Sequence, residues 1–158
     1  MYLDHNFKTI WNPGCDQRTI TSVEVLKTCD LKKVKWISLT ENLQNIEEAK
    51  PYLSKVNPVD LWLYPKQRLS QVPAEVMQMT NLEELNLSFN EITSIPASIK
   101  NLKNLKTLSL QFNKLSSLPP EIYQLKLKEI DLRNNNFDMK ALMDIRKNMP
   151  GTKIIFKD

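Results

Sequence analysis

The side chains that most often perform catalysis or hold metal ions are scarce in this chain of 158 residues. The single histidine is His5, and the two cysteines are Cys15 and Cys29. Their separations do not match the short paired spacings of metal-binding motifs. Two glycines in the whole sequence argue against a glycine-rich phosphate loop, and no nucleophile or dinucleotide motif is present. We therefore expect no enzymatic activity, no bound metal and no cofactor.

The remaining polar residues are ordered by an internal repeat with a period of about 23 residues. One copy begins at Leu82 and reads Leu-x-x-Leu-x-Leu-x-x-Asn-x-Ile-x-x-Ile-Pro-x-x-Ile-x-x-Leu. The next copy begins at Leu105 and repeats this order, and a third begins at Leu127 and decays after Phe137. A recurrence of this kind is the signature of a solenoid, in which each unit adds one layer to a stack.

Two weaker copies precede these three. In the first of them upstream, Leu61 and Leu63 are followed by an inserted residue, and Gln67 stands where the other copies carry asparagine. Further upstream, Ile37 and Leu39 form another strand pattern. The segment Asn45–Lys55 then predicts a helix in which Pro51 limits the regularity.

These repeats resemble the leucine-rich repeat family, and their Leu-Pro-x-x-Ile endings are similar to the bacterial type. The resemblance implies an α/β solenoid: a short horseshoe with parallel β-strands on its concave face and helical or 3₁₀ segments on its convex face. We expect one domain with distinct caps. The N-terminal cap would be 1–33, about five repeats would occupy 34–137 with the last three most regular, and a C-terminal cap of a helix and a final strand would occupy 138–158.

Within each unit, the alternation of Leu85 and Leu87 with polar residues predicts a half-buried strand. A buried Asn90 or Asn113 would bond to the backbone of neighbouring turns. The register around Leu61 is less certain, because a slip by one residue would turn Trp62 inward. We prefer the leucines inward, since they match the better copies.

The residues that alternate with the core leucines should point to the concave face, where the resemblance implies that partners bind. Aromatic side chains and acids dominate there, whereas lysines such as Lys100, Lys103 and Lys126 must lie elsewhere. Phe89 and Phe112 stand at equivalent places and are expected to stack on each other, or else to extend the binding surface. The predicted contact residues are Trp36, Asp60, Trp62, Tyr64, Glu84, Asn86, Glu129, Asp131 and Arg133.

The function implied is that of a non-enzymatic protein–protein interaction module, whose partner cannot be read from the sequence. Aromatics would supply contact area and acids would supply orientation and charge steering. Two alternatives are self-association that depends on a divalent cation and nucleic-acid binding, which the isoelectric point near 9.0 prompts. Scattered lysines speak against the latter, so we expect no nucleic acid as partner. No apolar run is long enough to predict membrane insertion.

The cysteines bear on the compartment. In exported leucine-rich repeat proteins the cap cysteines often pair, so the resemblance allows a disulfide between Cys15 and Cys29 in an oxidising compartment. Two reduced, partly buried thiols are the alternative. The start of the chain does not read as a signal peptide. The resemblance favours a secreted or cell-surface location over a cytoplasmic one, and it leaves the oligomeric state open.

Overall fold

A computed structural model describes residues 19–20, 36–39 and 44–157. Most of the predicted N-terminal cap, including both cysteines and their possible disulfide, lies outside these residues. The side chains of Thr19, Ile20 and Trp36 are also outside the description, although their backbones belong to strands.

Seven short parallel strands form one open sheet in chain order, which confirms the predicted α/β solenoid. Each strand pairs with the strand of the next repeat, so the stack grows by one layer per repeat. The strands are β1 (Thr19–Ile20), β2 (Trp36–Leu39), β3 (Asp60–Leu63), β4 (Glu84–Asn86), β5 (Thr107–Ser109), β6 (Glu129–Asp131) and β7 (Lys153–Ile155).

The core lies between the inner face of the sheet and the helical segments that return over it. Leu61 lies opposite Leu85, and Leu85 opposite Leu108, in consecutive pairings. Leu61 and Leu63 are fully buried, whereas Trp62 between them is half-buried. The preferred register of β3 is therefore confirmed, and burial of this leucine set against its neighbours is the main stabilising contribution.

The chain returns over the core in short 3₁₀ helices, as predicted. They are Ala74–Gln78, Ala97–Asn101 and Pro120–Gln124. A proline precedes each of them at the cap position: Pro73, Pro96 and Pro119. Proline suits the start of a helix because the N–H groups there have no partner within the helix.

The segment Asn45–Lys55 contains the predicted helical structure, with the limited regularity that Pro51 was expected to cause. The segment divides into a 3₁₀ helix at Ile46–Glu48, which the Asn45 side chain caps, and an α-helix, α1, at Lys50–Leu53. Pro51 has no N–H to donate to the carbonyl of Glu47, so the hydrogen bonding of a continuous helix is interrupted there.

A ladder of asparagine side chains joins successive layers. The Oδ1 atoms of Asn90, Asn113 and Asn135 each accept from a backbone N–H of the preceding repeat at 2.9 Å. Their Nδ2 atoms each donate to a carbonyl of that repeat and to two carbonyls of their own turn. The acceptors in the preceding repeat are Leu63, Leu87 and Leu110, at 2.8, 2.9 and 2.8 Å.

The degenerate repeat departs from this ladder. Gln67, predicted at the asparagine position, is exposed and cannot take the buried role. Its own N–H donates to the carbonyl of Gln44 at 2.8 Å. Asn90 of the following repeat bonds to the carbonyl of Leu63 and the N–H of Leu69, so this turn depends on its neighbour.

The end of the chain covers the last repeat. Helix α2 (Met139–Asn148) begins where Asp138 Oδ1 accepts from the N–H of Ala141 at 2.7 Å, and it buries Ile145. β7 then pairs with β6. The division into caps at 1–33 and 138–158 around repeats at 34–137 stays a prediction. Among the described residues no helix is long and apolar enough to cross a membrane.

We expect Asn113→Ala to destabilise the protein by about 1–3 kcal/mol, because it leaves buried backbone groups without partners. The control is Asn136→Ala, since the Asn136 side chain is exposed and a surface change of this kind costs within about 0.5 kcal/mol. Urea unfolding of both variants measures the difference. Equal stabilities would contradict the role of the asparagine ladder.

Candidate functional site

The outer side of the sheet, which we call the strand face, carries the side chains that alternate with the core leucines. The strand pairings align them in two columns. The first column runs Asp60, Glu84, Thr107, Glu129 and Lys153, with the backbone of Trp36 paired beside Asp60, and the second runs Ser38, Trp62, Asn86, Ser109, Asp131 and Ile155. The register predicted from the sequence for β2 to β6 is confirmed. β7 adds Lys153 and Ile155, which the sequence reasoning did not assign to this face.

Ion pairs neutralise the acids in the C-terminal half of the strand face. Arg133 donates through Nη2 to Asp131 Oδ2 at 2.8 Å and through Nε to Asp131 Oδ1 at 3.1 Å. Lys153 Nζ lies 2.8 Å from Glu129 Oε2. The face therefore has little unbalanced charge here, although the sequence suggested that acids dominate its whole length.

In the N-terminal half, the described residues include two carboxylates that form no ion pair with their neighbours on the sheet. Asp60 and Glu84 lie opposite each other on β3 and β4, and among the described residues no cation pairs with either. Trp62 Nε1 donates to Glu84 Oε1 at 2.8 Å, which holds the indole beside the two carboxylates. Burial, and then the charges of Glu84 and Glu83, raise the pKa of Asp60 above its usual value of 3.8.

Three aromatic rings border this region where the strands end. Phe89 and Phe112 stack with ring centroids 4.7 Å apart and planes inclined by 12°, which confirms the predicted stacking. Tyr64 meets Phe89 edge to face at 6.5 Å. We call Tyr64, Phe89 and Phe112 the aromatic ladder. The two phenylalanines are 45% and 44% exposed, so they contribute an apolar edge to the strand face.

The backbone of the aromatic ladder is unusual. Phe89 and Phe112 have φ angles of 58° and 54°, in the left-handed region, and Asn134 occupies the equivalent place in the next repeat with φ 54°. Asparagine tolerates this region better than phenylalanine, for which it costs about 1–2 kcal/mol. Stacking of the two rings contributes about 0.5–1.5 kcal/mol, which offsets only part of the cost of two strained residues.

A shallow depression of about 250 Å³ lies between the strand face and the aromatic ladder. Its walls are Tyr64, Arg68, Asn86, Ser88, Phe89 and Gln111. Sequence reasoning named Tyr64 and Asn86 but missed Arg68. The sequence feature that could have indicated Arg68 is the residue inserted before Leu69, because it interrupts the repeat pattern.

Within the part of the chain that the structure describes, no group of histidine, cysteine, aspartate and glutamate side chains is arranged to hold a metal ion. The carboxylates of Asp60 and Glu84 stand next to an indole, and the hydroxyl and amide groups of the depression accompany aromatic rings.

Residues 80–122 match the family model for leucine-rich repeats, with two copies. The solved structure of a leucine-rich repeat protein from Leptospira interrogans is 32% identical, with a TM-score of 0.66. The alignment covers 87% of this chain and 34% of that one. The chain is a leucine-rich repeat protein.

This leucine-rich repeat chain spans about a third of the length of the Leptospira structure that it matches. No curated protein matches it. Proteins with this fold generally mediate protein–protein interactions and are typically non-enzymatic.

We expect Asp60→Asn to raise the melting temperature at pH 7. The folded state holds the proton of Asp60 more strongly than the unfolded state does, so this residue lowers stability as the pH rises from 3.8 through the raised pKa. The asparagine removes that loss. The difference between variant and wild type should therefore shrink towards pH 3.8 and vanish below it.

Thermal melts between pH 3 and 7 measure the effect. The unfolding free energy changes by about 2.3RT per pH unit for each proton by which the folded and unfolded states differ. Asp138→Asn is the matched control, because its oxygen can still cap α2 and the residue is exposed. A lower melting temperature for Asp60→Asn than for wild type at pH 7 would contradict the assignment.

Proposed function

We propose that this leucine-rich repeat chain is a non-enzymatic interaction module that binds a partner protein through its strand face. The contacts we propose are Trp36, Asp60, Trp62, Tyr64, Glu84, Asn86, Glu129, Asp131 and Arg133. General support comes from the fold, since leucine-rich repeats usually bind proteins. The specific choice of face and residues is our inference.

The observation that carries the proposal is the association of Trp62 with two carboxylates. The Trp62 indole donates to Glu84 at 2.8 Å, and Asp60 lies directly opposite Glu84. A large aromatic ring supplies contact area, and unneutralised acids beside it attract a cationic partner surface. A few residues carry most of the binding energy of an interface, and tryptophan is enriched among them.

The sheet makes this cluster rigid before any partner arrives. β3 pairs with β2 on one side and with β4 on the other, so its backbone is held at both edges. The side chains that face outward then lose little conformational freedom on binding. A preformed surface loses less conformational entropy on binding, because its backbone is already ordered by folding.

The nine contacts divide into two groups. Those around Trp62 carry unbalanced charge and aromatic area, and we expect most of the affinity there. Asp131 and Arg133 already satisfy each other, and Lys153 satisfies Glu129. Asp131 is buried, and the exposed pair of Lys153 and Glu129 contributes little energy on its own, so we expect this group to orient the partner.

Neither alternative function gains support from a particular observation. The described lysines that flank the strands are partly engaged in ion pairs, as between Lys114 and Glu91, which weakens the basis for nucleic-acid binding. We also propose an N-terminal cap at 1–33, a C-terminal cap at 138–158 and a secreted or cell-surface location.

Affinity capture with the purified chain and a Trp62→Ala/Glu84→Lys variant tests the proposal. We expect proteins that the wild type retains to be lost from the variant, since the change removes the aromatic ring and reverses one charge. Circular dichroism confirms that both are folded. Retained proteins are identified by mass spectrometry.

The matched control is Tyr123→Ala/Glu121→Lys, which makes the same two chemical changes on the Pro120–Gln124 segment. It should retain what the wild type retains. If the control loses the retained proteins and the strand-face variant keeps them, the binding surface lies on the opposite side and the proposal fails.

A further inference from the structure

The aromatic ladder is an apolar edge that the fold does not require. The equivalent place beside Phe112 is filled by Asn134, which has the same left-handed backbone. Phe89 and Phe112 therefore adopt a strained backbone, and stacking and partial burial of their rings offset that cost. Strained residues are concentrated at functional sites, so the aromatic ladder is a candidate for contact with a partner.

The depression beside the ladder can accept one partner side chain. Tyr64 and Phe89 form an apolar wall, and the rest of the lining is polar: Arg68, Asn86, Ser88 and Gln111. Because Arg68 is a cation, the partner's apolar side chain belongs here and its basic residue elsewhere. Most binding clefts combine apolar walls with a few polar groups in this way. An apolar residue of the partner would be seated against Phe89, and backbone or terminal polar groups would meet the amides.

The arrangement of strands restricts the backbone of the occupant. An extended peptide binds a sheet by adding a strand at a free edge. β3, β4 and β5 are paired on both sides, so they offer no free edge beneath the depression. An occupant of this surface must satisfy its own backbone hydrogen bonds, and an α-helix does so.

Charge and spacing determine the rest of the occupant. The pair of Asp60 and Glu84, which no described cation neutralises, lies four positions before Tyr64 and Ser88 in the sequence, a distance of about 13 Å at roughly 3.3 Å per extended residue. A helix that lies along the strands rises about 1.5 Å per residue and covers this distance in about nine residues, so positions seven or eight apart span it only with the added reach of a long side chain such as lysine or arginine. Positions seven or eight apart share one helical face.

We propose that the depression and the acidic pair together form a docking site for a basic amphipathic helix of a partner protein. The helix places a lysine or arginine against Asp60, Trp62 and Glu84, and an apolar side chain seven or eight positions away against Tyr64 and Phe89. This inference rests on the proposed function and specifies the chemistry of the partner.

The test is a selection from a display library of helical peptides with randomised outward positions, with the purified chain as target. We expect the enriched helices to share a basic and an apolar residue separated by seven or eight positions. The affinity of individual synthetic helices is then measured by fluorescence polarisation against four variants. Circular dichroism shows that each variant is folded.

Two variants probe the two parts of the site. Asp60→Asn/Glu84→Gln removes the charges, and Phe89→Asn/Phe112→Asn replaces the ladder with the residue that the next repeat itself carries at φ 54°. Each should weaken binding by about tenfold or more. Glu121→Gln/Asp138→Asn, which removes two charges away from the strand face, should leave affinity unchanged.

The fourth variant, Trp62→Ala/Glu84→Lys, separates failure of this inference from failure of the proposed function. Helices that bind Phe89→Asn/Phe112→Asn normally overturn the docking site and leave a strand-face module intact. The same conclusion follows from helices that lack the predicted spacing but lose binding to Trp62→Ala/Glu84→Lys. Helices that bind this variant as well as the wild type overturn both. A selection that enriches no helix overturns the helical partner.

Discussion

The buried asparagine at the turn of each repeat is the interaction on which the stack depends. A solenoid layer must turn sharply after its strand, and the turn leaves backbone groups that neither helix nor sheet can satisfy. Asn113 provides for them with one side chain, which accepts from Ile92 and donates to Leu87 in the preceding layer. Because each bond crosses between layers, it fixes their separation and register as well as closing the turn.

The strand face follows from this constraint. Once the turns are fixed at one repeat per layer, leucines of successive strands must lie opposite each other, and so must the outward residues between them. Asp60 and Glu84 are close because both occupy the first column, although neither contributes to the core. Any accumulation of one kind of side chain in a column becomes a surface property. The fold thereby converts sequence position directly into surface chemistry.

This direct relation explains how much the sequence could predict. Periodicity alone located the strands, the inward leucines and the columns, and the Leu61-x-Leu63 pattern was enough to orient Trp62. At Asn45–Lys55, apolar spacing and Pro51 together predicted a helix of limited regularity, and the structure has a 3₁₀ helix followed by α1 there. Lys153 was missed because β7 follows a helix outside the repeat, and its effect on Glu129 depends on a strand pairing that no repeat pattern contains.

The least regular repeat is also the one that holds the proposed site. Its exposed Gln67 cannot replace the buried asparagine, its turn depends on Asn90 of the next layer, and Arg68 lies in the segment with the inserted residue. A repeat optimised only for stacking would keep the asparagine and the standard length. Departures from local rules without a structural gain are expected at functional surfaces, where other demands compete with stability. The strained phenylalanines of the aromatic ladder, next to this repeat, fit the same account. The three regular repeats then supply the stability that lets their irregular neighbour carry Trp62 and its carboxylates.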